Sequence, residues 1–234
     1  MFEKDQSVQK DDLKMLAAYQ AYAKIPSSCV VGLGTGSTVR FFIEALGVRF
    51  TKDPEFHIKV FVTSKDTYKK AKKYHLPVLP LENLQKVDIT ADGADWINPK
   101  TGACLKGAGG AAYLEKLVAR KTDYQIIVVD DSKLCNSFIG KKVALEVEPE
   151  KLNEVLKTPG FEFIDRKQIS DSNNAIVDVI LKSDDLKQIH KDLKDIPGVI
   201  ETGIFVDLVD EVIVAYSNLI ISSYKFNKDI NECT

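Results

Sequence analysis

The sequence predicts an α/β protein: an open, mainly parallel sheet flanked by helices (Rossmann-like), carrying a smaller inserted ferredoxin-like α+β domain. Three observations support this. Short β-branched apolar runs alternate with helical periodicity as far as Val129. Glycine-rich or acidic loops follow one strand after another. Beyond Val143 the order changes to β-α-β-β-α-β, the ferredoxin-like sequence of elements.

Leu13, Leu16, Ala17 and Ala21 recur at helical spacing across 11–25, and Pro26 stops that helix. Residues 29–31 read as a strand running into the loop 32–38, and 39–46 as the helix after it. A second strand at 58–62 ends in Thr63 and Ser64, which cap a helix bearing Lys65, Lys69, Lys70, Lys72 and Lys73. That lysine cluster reads as a solvated helix face. A Pro-marked loop (Pro77, Pro80) leads to a strand at 87–90, then a glycine turn at 107–110 opens a helix through Arg120, and 125–129 is a further strand. The smaller unit reads as strand 143–147, helix 150–156, strands 161–165 and 175–181, helix 184–193 and strand 199–206. Strands at 212–216 and 219–221 return to the larger one. The expected division is 1–142 plus 210–234 for the larger domain and 143–209 for the smaller, which would form one wall of a cleft.

The 234 residues are 44% apolar, enough for a packed core, and carry a formal charge of −2. A near-neutral balance lacks the basic footprint of a nucleic-acid binder. No apolar run approaches the roughly 18 residues of a membrane helix, and residues 1–14 mix acids with bases, without the apolar core of a signal peptide. Cys29, Cys104, Cys135 and Cys233 form no C-x-x-C pair and fit no zinc spacing, so they read as reduced thiols of a cytoplasmic protein.

Four loops carry the chemistry. Gly32-Leu33-Gly34-Thr35-Gly36-Ser37-Thr38 joins a strand to a helix, where glycines admit an anion to free backbone N–H groups and two hydroxyls add donors. It has no Walker lysine and no third fingerprint glycine, and the second strand ends without a ribose-binding acid. A small phosphate ester therefore fits better than NAD, although a plain tight turn would use the same glycines. Asp92-Gly93-Ala94-Asp95 follows another strand; its acids suit proton exchange, sugar hydroxyls, Mg²⁺ or an Asx turn. In the third loop, Lys106-Gly107-Ala108-Gly109-Gly110 precedes Glu115. A carboxylate base beside an ammonium for a developing oxyanion is what enolisation of a sugar needs. A helix-start Glu favoured by the dipole would look the same. Asp130-Asp131-Ser132-Lys133 adds a fourth polar loop at the same sheet edge.

Taken in order, GxGTGST, DGAD, KGxGGA followed by Glu, and DxSK, the chain resembles type A ribose-5-phosphate isomerase over nearly its whole length. The resemblance implies interconversion of ribose 5-phosphate and ribulose 5-phosphate in the non-oxidative pentose phosphate pathway. It implies no cofactor and no metal, a small-molecule sugar-phosphate partner and a homodimer or homotetramer. By the same resemblance Glu115 is the base that moves a proton between C1 and C2, Lys106 lies near the enediolate oxygens, and Asp92 handles proton traffic on the sugar oxygens. Thr35, Gly36, Ser37 and Thr38 form the first substrate loop, Asp92, Gly93, Ala94 and Asp95 the second, and Lys106, Gly107, Ala108 and Gly109 the third. Lys133 contacts substrate and Lys14 sits near the phosphate. Two departures stand out: Trp96 where the family usually has Glu, expected to alter packing or a contact between subunits, and Ala108 in place of Gly, expected to shift affinity.

A non-catalytic sugar-phosphate sensor of the same fold would need no base beside Lys106. An amino-sugar phosphate deaminase would want a His near the acids, and His57, His75 and His190 all lie outside the motifs.

Overall fold

The computed structural model describes residues 10–226, so Cys233 and both outer ends of the chain lie outside the described residues. Helix α1 (Lys10–Tyr22) turns Leu13, Ala17, Ala18 and Ala21 inward. It stops before the predicted end because Lys24 and Ile25 close tight i−3 turns in front of Pro26, which disfavours helical backbone at the residue before it. Strand β1 (Ser28–Leu33) leads through the first glycine loop to α2 (Val39–Lys52), whose buried Val39, Phe42, Ile43 and Leu46 face the core. The helix runs past the predicted stop at Leu46 because Arg49 and Lys52 suit its carboxyl end. Next come β2 (His57–Val62) and α3 (Lys65–Lys73), capped by Ser64 as expected, its Oγ accepting the Thr67 N–H at 3.1 Å. The α3 lysines are solvated or only partly covered.

Strand β3 (Val87–Asp92) extends to Asp92, and a small hairpin follows, β4 (Trp96–Ile97) and β5 (Cys104–Leu105), then α4 (Ala112–Ala119) and β6 (Thr122–Asp130). After β7 (Lys142–Val147), the predicted helix at 150–156 is a 3₁₀ turn, Pro149–Lys151, and one helical turn, α5 (Leu152–Val155). Strands β8 (Phe163–Ile169) and β9 (Ala175–Ile180), helix α6 (Leu186–Lys194) and strand β10 (Val199–Thr202) complete the second unit. The chain then passes through β11 (Ile204–Phe205), β12 (Glu211–Ala215) and β13 (Ile221–Lys225).

The six-stranded sheet has the order β13-β12-β6-β3-β1-β2, parallel except for β13. The chain moves outward from β1 to β2 and returns on the other side at β3, so the loops after β1 and β3 part and open a crevice at the strand ends. The second sheet, β10-β7-β9-β8, is antiparallel throughout and has the ferredoxin-like order. A third sheet, β11-β5-β4, was not foreseen, since its strands are only two residues long.

It also explains one correction. The predicted strand 199–206 is two strands in two sheets, broken at Gly203. There the Gly203 N–H donates to Ala144 O at 2.7 Å and its carbonyl accepts the Lys106 N–H at 2.8 Å. A Cβ on Gly203 would lie 2.1 Å from Lys106 O, so no side chain fits between the sheets. The core divides accordingly, one apolar cluster around Phe42, Leu46, Val60 and Val128, another around Leu145, Val177 and Leu193. Among the described residues no helix is long and apolar enough to cross a membrane.

Candidate active site

The crevice at the switch point holds a cleft of about 130 Å³. It is lined by Lys14 from α1, Thr35, Gly36, Ser37 and Thr38 after β1, Gly93, Ala94 and Asp95 after β3, Lys106, Gly109, Glu115 of α4, and Lys133 after β6. Twelve of the fifteen residues singled out from the sequence thus converge on one cavity. Asp92 and Gly107 are buried beside it, and Ala108 is exposed outside it.

Lys106 is the centre of this arrangement. Its buried ammonium lies 3.0 Å from Asp92 Oδ2 and 3.3 Å from Glu115 Oε2, and it donates to the Gly93 carbonyl. Burial disfavours that charge, but Asp92 and Glu115 outweigh it and hold the lysine above its ordinary pKa. Asp92 is fully engaged, accepting the N–H groups of Thr35 at 3.1 Å and Gly93 at 2.7 Å besides facing Lys106. Burial raises its pKa against the pull of Lys106. Close approach makes this possible, because a Cβ on Gly34 would sit 2.1 Å from the Asp92 carboxyl carbon.

Glu115 is different. It lies on the first turns of α4, is 5% exposed, and its Oε2 is buried without a hydrogen bond, since the Lys106 contact lacks the alignment for one. Burial pushes its pKa up to about 8; Lys106 opposes the rise, and Asp92 and Asp95 add to it. The result is a carboxyl group held near neutrality beside a fixed cation, facing a cavity, as proton abstraction next to a carbonyl requires.

At the other end of the cleft, Ser37 and Thr38 precede α2, whose first turn has no acid, and Lys14 and Lys133 converge from two other elements. Free helix-start N–H groups, hydroxyls and two ammoniums make an anion seat. Among the described residues no group of three or more His, Cys, Asp or Glu is arranged to hold a metal ion.

The two departures fall outside the cleft. Trp96 joins the apolar cluster of the second unit, and Lys141 Nζ sits 3.4 Å from its ring centroid, so the change is one of packing and cation–π contact. Ala108 is exposed, and the loop uses its backbone rather than its methyl. The three histidines do not line the cleft; His57 and His75 are exposed, and His190 is bonded to Thr202 at 2.7 Å. Cys104 is buried in β5, where its thiol is pushed up to about 12.

Sequence reasoning missed the supports behind the loops. Glu146 on β7 accepts the Tyr113 N–H in the first turn of α4 at 2.8 Å. The Phe205 ring lies 5.5 Å from the Lys106 ammonium and 5.0 Å from that of Lys116. Arg166 reaches the third loop from β8. None belongs to a local motif, and only the fold brings them near.

Comparison with known proteins points to one family. The family model for ribose 5-phosphate isomerase A (phosphoriboisomerase A) matches residues 59–218. Ribose-5-phosphate isomerase A of Streptococcus agalactiae is 37% identical over 217 residues, covering 89% of this chain and 96% of the relative. The Methanococcus aeolicus protein of the same name is 36% identical over 221 residues, 88% of this chain and 92% of its own. Among solved structures, ribose 5-phosphate isomerase A from Methanocaldococcus jannaschii superposes with a TM-score of 0.86 at 33% identity, covering 93% of this chain and all of that one. A D-ribose-5-phosphate isomerase in complex with phospho-erythronic acid gives 0.87 at 30% identity, over 94% of this chain and 100% of the other. This chain belongs to the ribose 5-phosphate isomerase A family.

Proposed function

We propose that this protein interconverts D-ribose 5-phosphate and D-ribulose 5-phosphate through a cis-enediolate, with Glu115 as the base. The observation that carries the reading is the buried, unbonded Glu115 Oε2 at the cleft wall, 3.3 Å from Lys106 Nζ. The phosphate binds at Ser37, Thr38, Lys14 and Lys133, with Thr35 and Gly36 completing that loop. After ring opening, Glu115 takes the proton from C2 of the aldose. Electron density passes to O1, where Lys106 stabilises the oxyanion. A proton then moves from O2 to O1, and Glu115 returns its proton to C1, giving the ketose. The relative solved with phospho-erythronic acid supports this reading, because that compound is a phosphorylated acid whose carboxylate resembles a planar enediolate.

Asp95, Gly93, Ala94 and Gly109 contact the sugar hydroxyls. Gly107 and Ala108 shape the third loop beside the cleft, and Asp92, buried against Lys106, handles proton traffic on the sugar oxygens through that ammonium. The proposal includes metal-free turnover, a cytoplasmic homodimer or homotetramer, and segment 143–209 as a smaller domain. The four-stranded sheet and its own apolar cluster support that last division.

The test is ribulose 5-phosphate formation from ribose 5-phosphate by purified protein in excess chelator, beside Glu115→Gln. Turnover should survive chelation and fall by about 10²–10⁴ in the variant, the usual weight of a positioned base. Saturable sugar-phosphate binding without wild-type turnover would instead identify a sensor.

A further inference from the structure

We infer that Arg166 is a positioning residue for this isomerisation, acting on Asp95 through a single peptide group of the third loop. Arg166 lies on β8, the edge strand of the four-stranded sheet, and does not line the cleft. Its Nη1 donates to Gly107 O at 3.0 Å and to Ala108 O at 3.1 Å, while Nη2 is held by the Asp178 carboxylate on β9. On the other side of the loop, the Ala108 N–H donates to Asp95 Oδ2 at 2.8 Å. Gly107 C=O and Ala108 N–H are the two ends of one trans peptide, which point in opposite directions. One end is therefore fixed by a cation of the second sheet, and the other fixes a carboxylate that lines the cleft. A cation on the carbonyl also polarises the amide and strengthens its N–H as a donor. The neighbouring carbonyl, held by the same nitrogen, sets the approach to Gly109, which reaches the cleft wall.

The competing role is a purely structural one, in which Arg166 only pairs with the buried Asp178. Lysine separates the two, because it keeps the charge for Asp178 but lacks the planar fork that spans both partners. The inference rests on the proposed isomerase reading, so the experiment has two arms.

In the kinetic arm, Arg166→Lys should raise KM for ribose 5-phosphate about tenfold, the weight of one hydrogen bond to a charged group. kcat should stay within about threefold and thermal stability close to wild type. Because both residues act along one path, adding Arg166→Lys to Asp95→Asn should raise KM no further than Asp95→Asn alone. In the second arm, amide hydrogen exchange at Ala108 should be faster in Arg166→Lys than in wild type, with no turnover required. A wild-type KM in Arg166→Lys, an additive double variant or unchanged Ala108 exchange would each overturn the inference. Absence of wild-type turnover would overturn the isomerase reading instead and leave the exchange result to decide on the clamp.

Discussion

Glu115, the proposed base, also bears a cost. Burial pushes its pKa up to about 8, and a base must be ionised to accept a proton, so kcat/KM should climb with pH and level off above about 8. A pH–rate profile checks this; an acid limb near the ordinary carboxylate value would contradict it. The same shift acts on stability, with the opposite sense. A carboxyl group raised above its unfolded value contributes stability that is fully present below about 4.5 and is lost as pH rises through about 8. Between pH 5 and pH 9 the wild-type urea midpoint should therefore fall more than that of Glu115→Gln. The expected activity maximum thus falls at a pH where this site weakens the fold.

Helix α4 shows how an element is placed by something outside it. Ala111 at its N-cap offers no side-chain cap, and the helix has only eight residues. Its first turn is instead bonded to Glu146 on β7, whose second oxygen takes Asn174 Nδ2 at 3.0 Å. Glu146→Ala removes that acceptor and leaves the part-buried Tyr113 N–H without a partner, at a cost of about 1 kcal/mol. It should lower the denaturation midpoint accordingly and reduce kcat as well, because the turn that frays carries Glu115. Elements such as α4, β1, β3 and β6 were legible in the sequence because apolar period and flanking glycines agree there. The loops were legible because their motifs are contiguous. Glu146, Arg166 and Phe205 were not, since each reaches the site across sheet pairings that no local pattern encodes. β4, β5 and β11 are too short to show a period at all, which is why 199–206 read as one strand.

For the molecule as a whole, a formal charge of −2 hides a local asymmetry. Lys14 and Lys133, both half-buried, line the proposed phosphate end of the cleft, whereas Lys106 is buried between two acids. Salt screens the first pair far more than the last. Raising ionic strength from about 20 to about 500 mM shortens the Debye length from roughly 20 Å to roughly 4 Å. KM should rise severalfold over that range while kcat stays nearly constant, as initial rates at each salt concentration would show. Two ends of one cavity should thus answer to different variables, one to salt and the other to pH.

The junction at Gly203 has a mechanical consequence. Its N–H is tied to β7 and its carbonyl to the Lys106 backbone, with no room for a side chain between them. Sliding one sheet past the other would strain both bonds and, through the second, the Lys106 backbone. The pairing thus opposes relative sliding of the two sheets at this point. The parts of the rim that stand in solvent, Gly36, Ser37 and Gly109, are party to neither bond.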